Sequence, residues 1–196
     1  MPADRLVPPL PALAPQRSFR RWVSAIGRAW LRLAGWRVEG EFPNVTRCVI
    51  TVAPHSSNWD FVHGVAVVFA SGLKVSFVAK HTLFHGPLGR FMRWVGGLPV
   101  DRSQPHGFAE GVVEAFGRPE ALWFAITPEG TRTRVARFKT GFYRVAQAAE
   151  VPIFPVAFNY RRRRIVLLPL VIPKLPVEQG VGEMETLFEQ HGARRA

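Results

Sequence analysis

Cysteine, aspartate and lysine are scarce in this chain, and no stretch of it stays apolar for long. Cys48 is the only cysteine, which excludes an intrachain disulfide, and its place in an apolar run reads as a small core residue. The longest uncharged apolar run, residues 61–73, falls well short of the about 20 residues that a membrane-spanning helix needs, so no crossing is expected. Pro2, Pro8, Pro9, Pro11 and Pro15 break up the start of the chain and leave no apolar core of the signal-peptide kind. Residues 1–17 therefore read as a flexible Pro-rich leader. Lysine occurs only at Lys74, Lys80, Lys139 and Lys174, so the excess of 26 basic over 14 acidic side chains is nearly all arginine. Arginine forks grip phosphate and carboxylate in two-pronged geometry, which points to an anionic partner. Nucleic acid, an anionic lipid surface and a phosphorylated small molecule all meet that description.

What is present is a patterned α/β chain. A length of 196 residues with 47% apolar composition suits one domain with a substantial core. Residues 18–36 carry the clearest helical period, and 18–40 is set off as a basic amphipathic N-terminal helix segment. Phe19, Trp22, Val23, Ile26, Trp30 and Leu33 share one face of it, with Arg17, Arg21, Arg28 and Arg32 opposite. Two arrangements satisfy this pattern: a helix lying in a membrane interface, or one packed on the domain with its arginines in water. Beyond it, residues 41–196 alternate strands and helices. Strands are expected at 47–53, 75–79, 98–100, 121–127, 151–160 and 164–170. Helices are expected at 60–73, 87–95, 106–116, 140–149 and 181–191. Such alternation predicts a single α/β domain with a mixed, largely parallel sheet flanked by helices.

Three constellations carry chemistry. His55 leaves an apolar strand, and Asp60 follows as the next apolar run begins. The loop between them can fold the carboxylate onto one imidazole nitrogen, fixing the tautomer and freeing the other nitrogen to take a proton from a hydroxyl. A loop histidine beside a helix N-cap aspartate is the plainer reading of the same spacing. Ser56 and Ser57 lie beside the histidine, but no Gly-x-Ser-x-Gly elbow supports a serine nucleophile. Next, Gly96 to Arg102 reads as a glycine turn, a short strand and an arginine at its carboxyl end, where open α/β sheets bind ligands. Arg102 is placed to grip a phosphate, with Asp101 to orient it; a surface ion pair is the bland alternative. Last, Thr127-Pro128-Glu129-Gly130-Thr131-Arg132 follows another strand, with Arg134, Arg137 and Lys139 close behind. Gly130 permits close backbone approach, Arg132 adds a second fork, and Glu129 can orient an arginine or accept a bond from a substrate hydroxyl. Lys80 and His81 end one more strand and can reach the same crevice. His81 and His85 have the spacing of zinc ligands, yet no third ligand is evident, so no metal is expected.

Together these motifs resemble the glycerophospholipid acyltransferase family, the 1-acylglycerol-3-phosphate acyltransferases and their relatives. They stand as His55-Ser-Ser-Asn-Trp-Asp60, Gly97-Leu-Pro-Val-Asp-Arg102, Pro128-Glu-Gly-Thr-Arg132 and Val151-Pro-Ile-Phe-Pro-Val156, in order across residues 45–160 of an acyltransferase domain at 41–196. The resemblance implies a direct reaction without an acyl-enzyme. His55, held by Asp60, takes the proton of an acceptor hydroxyl that attacks the thioester of acyl-CoA or an acylated carrier protein. It further implies that Arg102, Glu129, Gly130, Thr131, Arg132 and, less centrally, Lys80 hold a phosphorylated acceptor. Lysophosphatidate is the first candidate, then another lysolipid or an amino-acid-containing lipid. No bound cofactor is implied, and the expected place of work is the cytoplasmic face of a membrane, as a peripheral protein on an anionic surface.

Two other classes fit the composition. A basic nucleic-acid-binding protein accounts for the arginines, including the run Arg161 to Arg164, but no helix-turn-helix, zinc-finger or RNA-recognition signature is present, so no specific nucleic acid is expected. A peripheral membrane module without activity accounts for the N-terminal segment but leaves His55 and Asp60 without a purpose.

Overall fold

The computed structural model describes residues 6–55, 57–100, 105–130 and 135–192. Seven strands form one sheet in the order β1 (Arg37–Glu39), β7 (Arg164–Leu167), β6 (Ile153–Asn159), β2 (Arg47–Ala53), β5 (Leu122–Ile126), β3 (Ser76–Lys80) and β4 (Gly97–Val100). Strands β6, β2, β5, β3 and β4 run parallel, and β7 is antiparallel to β6, with β1 following the direction of β7. The sheet is therefore mixed and largely parallel, as the alternation of periods predicts.

Strand alternation divides the core in two. Val49 and Ala53 of β2, Phe124 of β5 and Ile153 and Ala157 of β6 face one layer, made with helices α4 (Pro105–Gly117), α5 (Gly141–Ala148) and α6 (Val177–Gln190). Cys48, Ile50, Trp123, Phe154, Val156 and Phe158 face the other, where α1 (Arg21–Leu33) and α2 (Asn58–Ser71) pack. Buried on both faces, these central strands read as continuous apolar runs. Cys48 is fully buried and its thiol is held well above its ordinary pKa by desolvation, which makes it an inert packing group. The remaining helix, α3 (Gly86–Trp94), follows a short 3-10 turn at His81–Phe84 and leads into β4.

The N-terminal segment is shorter in helix and closer to the core than its periodicity predicts. The chain turns at Gly35 (φ +72) and enters strand β1, so residues 37–39, counted with the helix segment in the sequence, are part of the sheet. Residues 6–17, expected as a flexible leader, lie against the domain: Leu6, Val7 and Leu10 pack on the second core layer, and Gln16 bridges to Leu73. Residues 1–5 are outside the described residues.

Helix α1 packs on the domain through one stripe and leaves another exposed. Val23, Gly27 and Leu31, four residues apart, are its buried line. A Cβ on Gly27 would stand 2.6 Å from Ala66 O and 2.8 Å from Ala70 N of α2, so the two helices touch backbone to backbone there. Trp22, Ile26 and Leu33, counted with Val23 and Trp30 on one apolar face, are exposed at 58, 52 and 87%.

Candidate active site

Because β2, β5, β3, β4 and β6 run parallel, their carboxyl ends open on one edge of the sheet, and the His55–Asp60 and Pro128–Gly130 segments follow the ends of β2 and β5 there. His55 stands just past β2, after a cis Ala53–Pro54 peptide. Asp60 lies in the first turn of α2. Ser57 caps that helix: its hydroxyl accepts the Trp59 backbone N–H at 3.2 Å, while Asp60 Oδ2 accepts the Ser57 N–H at 2.7 Å. The geometry of Asp60 is compatible with both readings of its position. It closes the cap, and the same oxygen stands 3.6 Å from His55 Nδ1. That separation is an ion-pair distance, longer than a hydrogen bond, and free sites commonly tighten when substrate binds. Asp60 is 3% exposed, so the carboxylate acts on the imidazole in a setting poor in water. Ser57 is spent on the cap; Ser56 is outside the described residues.

Glu129 reaches the site from the β5 side. Its Oε1 accepts the backbone N–H of His55 at 3.0 Å, and the residue is 8% exposed. Expected among the groups holding the acceptor, it also ties the β5 loop to the β2 loop through this bond. Gly130 turns that loop at φ +62, and Lys139 covers it: a Cβ there would meet Lys139 Cδ at 2.8 Å and Nζ at 3.0 Å. The Lys139 backbone N–H also bonds Pro128 O at 2.8 Å, which brings this ammonium to the site edge. Lys80, the last residue of β3, is exposed on the same edge, opposite Val100 in the β3–β4 register. Arg102, with Asp101, and Thr131 and Arg132 lie outside the described residues. His81 and His85 are exposed, and among the described residues no three potential metal ligands converge.

Behind Asp60 the structure holds an aromatic block that the sequence did not disclose. Trp30 Nε1 donates to His63 Nδ1 at 3.2 Å. Trp36 lies 4.5 Å from the His63 ring, and Trp59 stacks on Trp30 at 5.8 Å. Burial lowers the pKa of His63 from its ordinary 6.5, with the Asp60 charge partly opposing the shift. A histidine whose folded pKa is depressed binds its proton less readily folded than unfolded. Stability from this group is therefore constant above about pH 6.5 and falls as pH drops below it, towards the lowered folded value. The melting temperature is expected to decline between pH 7 and 5, and His63→Gln, which keeps an acceptor for Trp30, is expected to decline less. Parallel slopes in the two proteins would assign the acid sensitivity elsewhere.

A histidine 3.6 Å from a buried carboxylate, at the carboxyl edge of a parallel sheet where such folds commonly bind ligands, has the groups that activation of a hydroxyl requires. The comparisons with known proteins name the transfer. The Acyltransferase family model matches residues 36–159, and the chain belongs to that family. It is 32% identical over 159 residues to a 1-acyl-sn-glycerol-3-phosphate acyltransferase of Escherichia coli K12, covering 74% of this chain and 63% of that protein. A Saccharomyces cerevisiae protein of the same name is 32% identical over 133 residues, 63% of this chain and 42% of its own length. The chain thus spans less than two thirds of the length of these relatives. The crystal structure of the Thermotoga maritima 1-acyl-sn-glycerophosphate (LPA) acyltransferase, PlsC, has the same fold, with a TM-score of 0.63 at 19% identity over 90% of this chain and 80% of the other. The nucleic-acid reading raised by the arginines gives way to this family.

Proposed function

We propose that the protein moves a fatty acyl group from an acyl thioester to the free hydroxyl of lysophosphatidate or a close lysolipid. The observation that carries the proposal is the buried Asp60 carboxylate on the Nδ1 side of His55, inside a chain of the Acyltransferase family. With Nδ1–H directed at Asp60, Nε2 is the basic nitrogen. It takes the acceptor's hydroxyl proton as that oxygen attacks the thioester carbonyl. The C–S bond breaks, and the departing thiolate recovers the proton from the imidazolium. No acyl-enzyme is required, and Ser57, committed to its cap, is not a nucleophile. Glu129 holds the His55 backbone in place during the transfer.

The acceptor's phosphate is assigned to the cations of this edge: Arg102, Arg132 and Lys80, with Thr131 and the backbone at Gly130, and Lys139 added on the strength of its position. Acceptors differing only in that phosphate test the assignment. Lysophosphatidate should be used much better than monoacylglycerol, and Arg132→Ala should raise KM for lysophosphatidate while leaving KM for the donor unchanged. Equal use of both acceptors would remove the phosphate site. Running the assay with acyl-CoA and with acylated carrier protein identifies the donor.

A membrane face is proposed on α1. The exposed Trp22, Ile26 and Leu33 stand among Arg21 and Arg32, the composition of a helix that rests in an anionic interface. Among the described residues, no helix is long and apolar enough to cross a membrane. Trp22→Asp with Ile26→Asp should reduce cosedimentation with vesicles containing anionic lipid by at least an order of magnitude, each side chain losing its insertion and adding repulsion. Both positions are exposed, so the fold should persist; undiminished vesicle binding would move the contact to another face.

A further inference from the structure

The residue that completes the support of Asp60 belongs to none of the sequence motifs. Tyr160 directly follows β6, and its hydroxyl donates to Asp60 Oδ1, a contact between residues 100 apart in the chain. The topology explains the meeting. β6 and β2 are parallel neighbours with Ala53 opposite Ala157, so His55 and Tyr160 emerge side by side at the same edge. The ring of Tyr160 is held in turn by Trp36, edge to face at 5.1 Å and 87°. Asp60 then has a division of labour between its oxygens: Oδ2 takes the Ser57 N–H and faces His55, while Oδ1 takes the phenol. A carboxylate anchored through one oxygen pivots about its side-chain torsions. A donor on the second oxygen fixes its plane.

Resting on the acyl-transfer reading above, we propose that Tyr160 is a positioning residue for proton transfer at His55, its hydroxyl holding the Asp60 carboxylate in the plane that keeps Oδ2 on His55 Nδ1. Tyr160→Phe is the direct test, because it removes the hydroxyl and keeps the ring that Trp36 packs against. The expected result is a roughly ten- to hundredfold fall in kcat, the range that loss of a hydrogen bond to a charged group corresponds to, with KM for donor and acceptor within about twofold. Acting through Asp60, the same substitution should cost nothing further in an Asp60→Asn background. An unchanged kcat in an active enzyme, or an equal loss in both backgrounds, would overturn the proposal.

A second readout needs no activity. The chain has two tyrosines, so ring-labelled protein (13C at Cζ) gives two signals, and the one missing from Tyr160→Phe is assigned. That signal should move on Asp60→Asn while the Tyr143 signal stays. If it moves and the intact protein transfers no acyl group, the contact stands and the reaction assignment fails. If it stays put, the positioning role is lost whatever the enzyme does.

Discussion

His55→Ala is expected to lower kcat by about 10²–10⁴-fold, the usual contribution of a placed general base, while KM for the acyl donor changes little. The expectation follows from where the residue sits. His55 is past the end of β2 and outside both core layers, so truncating its imidazole should leave the packing of the core unchanged. Asp60→Asn is expected to cut kcat as well, but to leave more activity, since it removes the orienting charge and spares the base. Steady-state kinetics on the two variants, each checked for an unchanged circular dichroism spectrum, separates the roles. If His55→Ala kept wild-type kcat, the base would have to be another group at this edge.

Gly27→Ala and Gly182→Ala are expected to move stability in opposite directions, although both place the same methyl group in a helix. At Gly27 the new Cβ would sit 2.6 Å from Ala66 O, so α1 and α2 must separate. Overpacking of this kind costs about 1–3 kcal/mol, a fall in Tm of roughly 2–12 °C for a chain of this size. At Gly182 nothing lies within 4 Å, and alanine there should raise stability by about 0.5–1 kcal/mol through helix propensity alone. The Gly27 change should also lower activity, because α2 carries Asp60 and Trp30 of α1 holds His63 behind it. Thermal melts of the pair measure this; equal Tm values would mean that the α1–α2 contact yields at no cost.

These cases also show why some of the molecule was legible in its sequence. Strands β2, β5 and β6 announced themselves because burial on both faces gives continuous apolar runs bounded by turn residues. The candidate loops were legible because a parallel sheet collects its strand ends on one edge, so polar residues directly after apolar runs point to that edge. What the sequence hid was pairing across distance. The bond from the His55 backbone to Glu129 carried no sequence signal, because only the adjacency of β5 and β2 brings the two loops together. Tyr160 carried no signal, its partner being 100 residues away. In α1 the periodicity places Val23 on its apolar face with Trp22 and Ile26, but the buried line continues through Gly27, a residue that hydrophobicity does not register. Arg102, Thr131 and Arg132 keep their sequence-derived roles as proposals.

Direct acyl transfer onto a lysolipid hydroxyl, with no covalent intermediate, is tested most directly with labelled acyl-CoA. Incubated with lysophosphatidate, the intact protein should form labelled phosphatidate in a reaction that saturates with both substrates. Acid-quenched samples taken without acceptor should carry no label on the protein. Label retained on the protein, or no product from any acyl thioester and lysolipid while the chain is folded, would contradict the account.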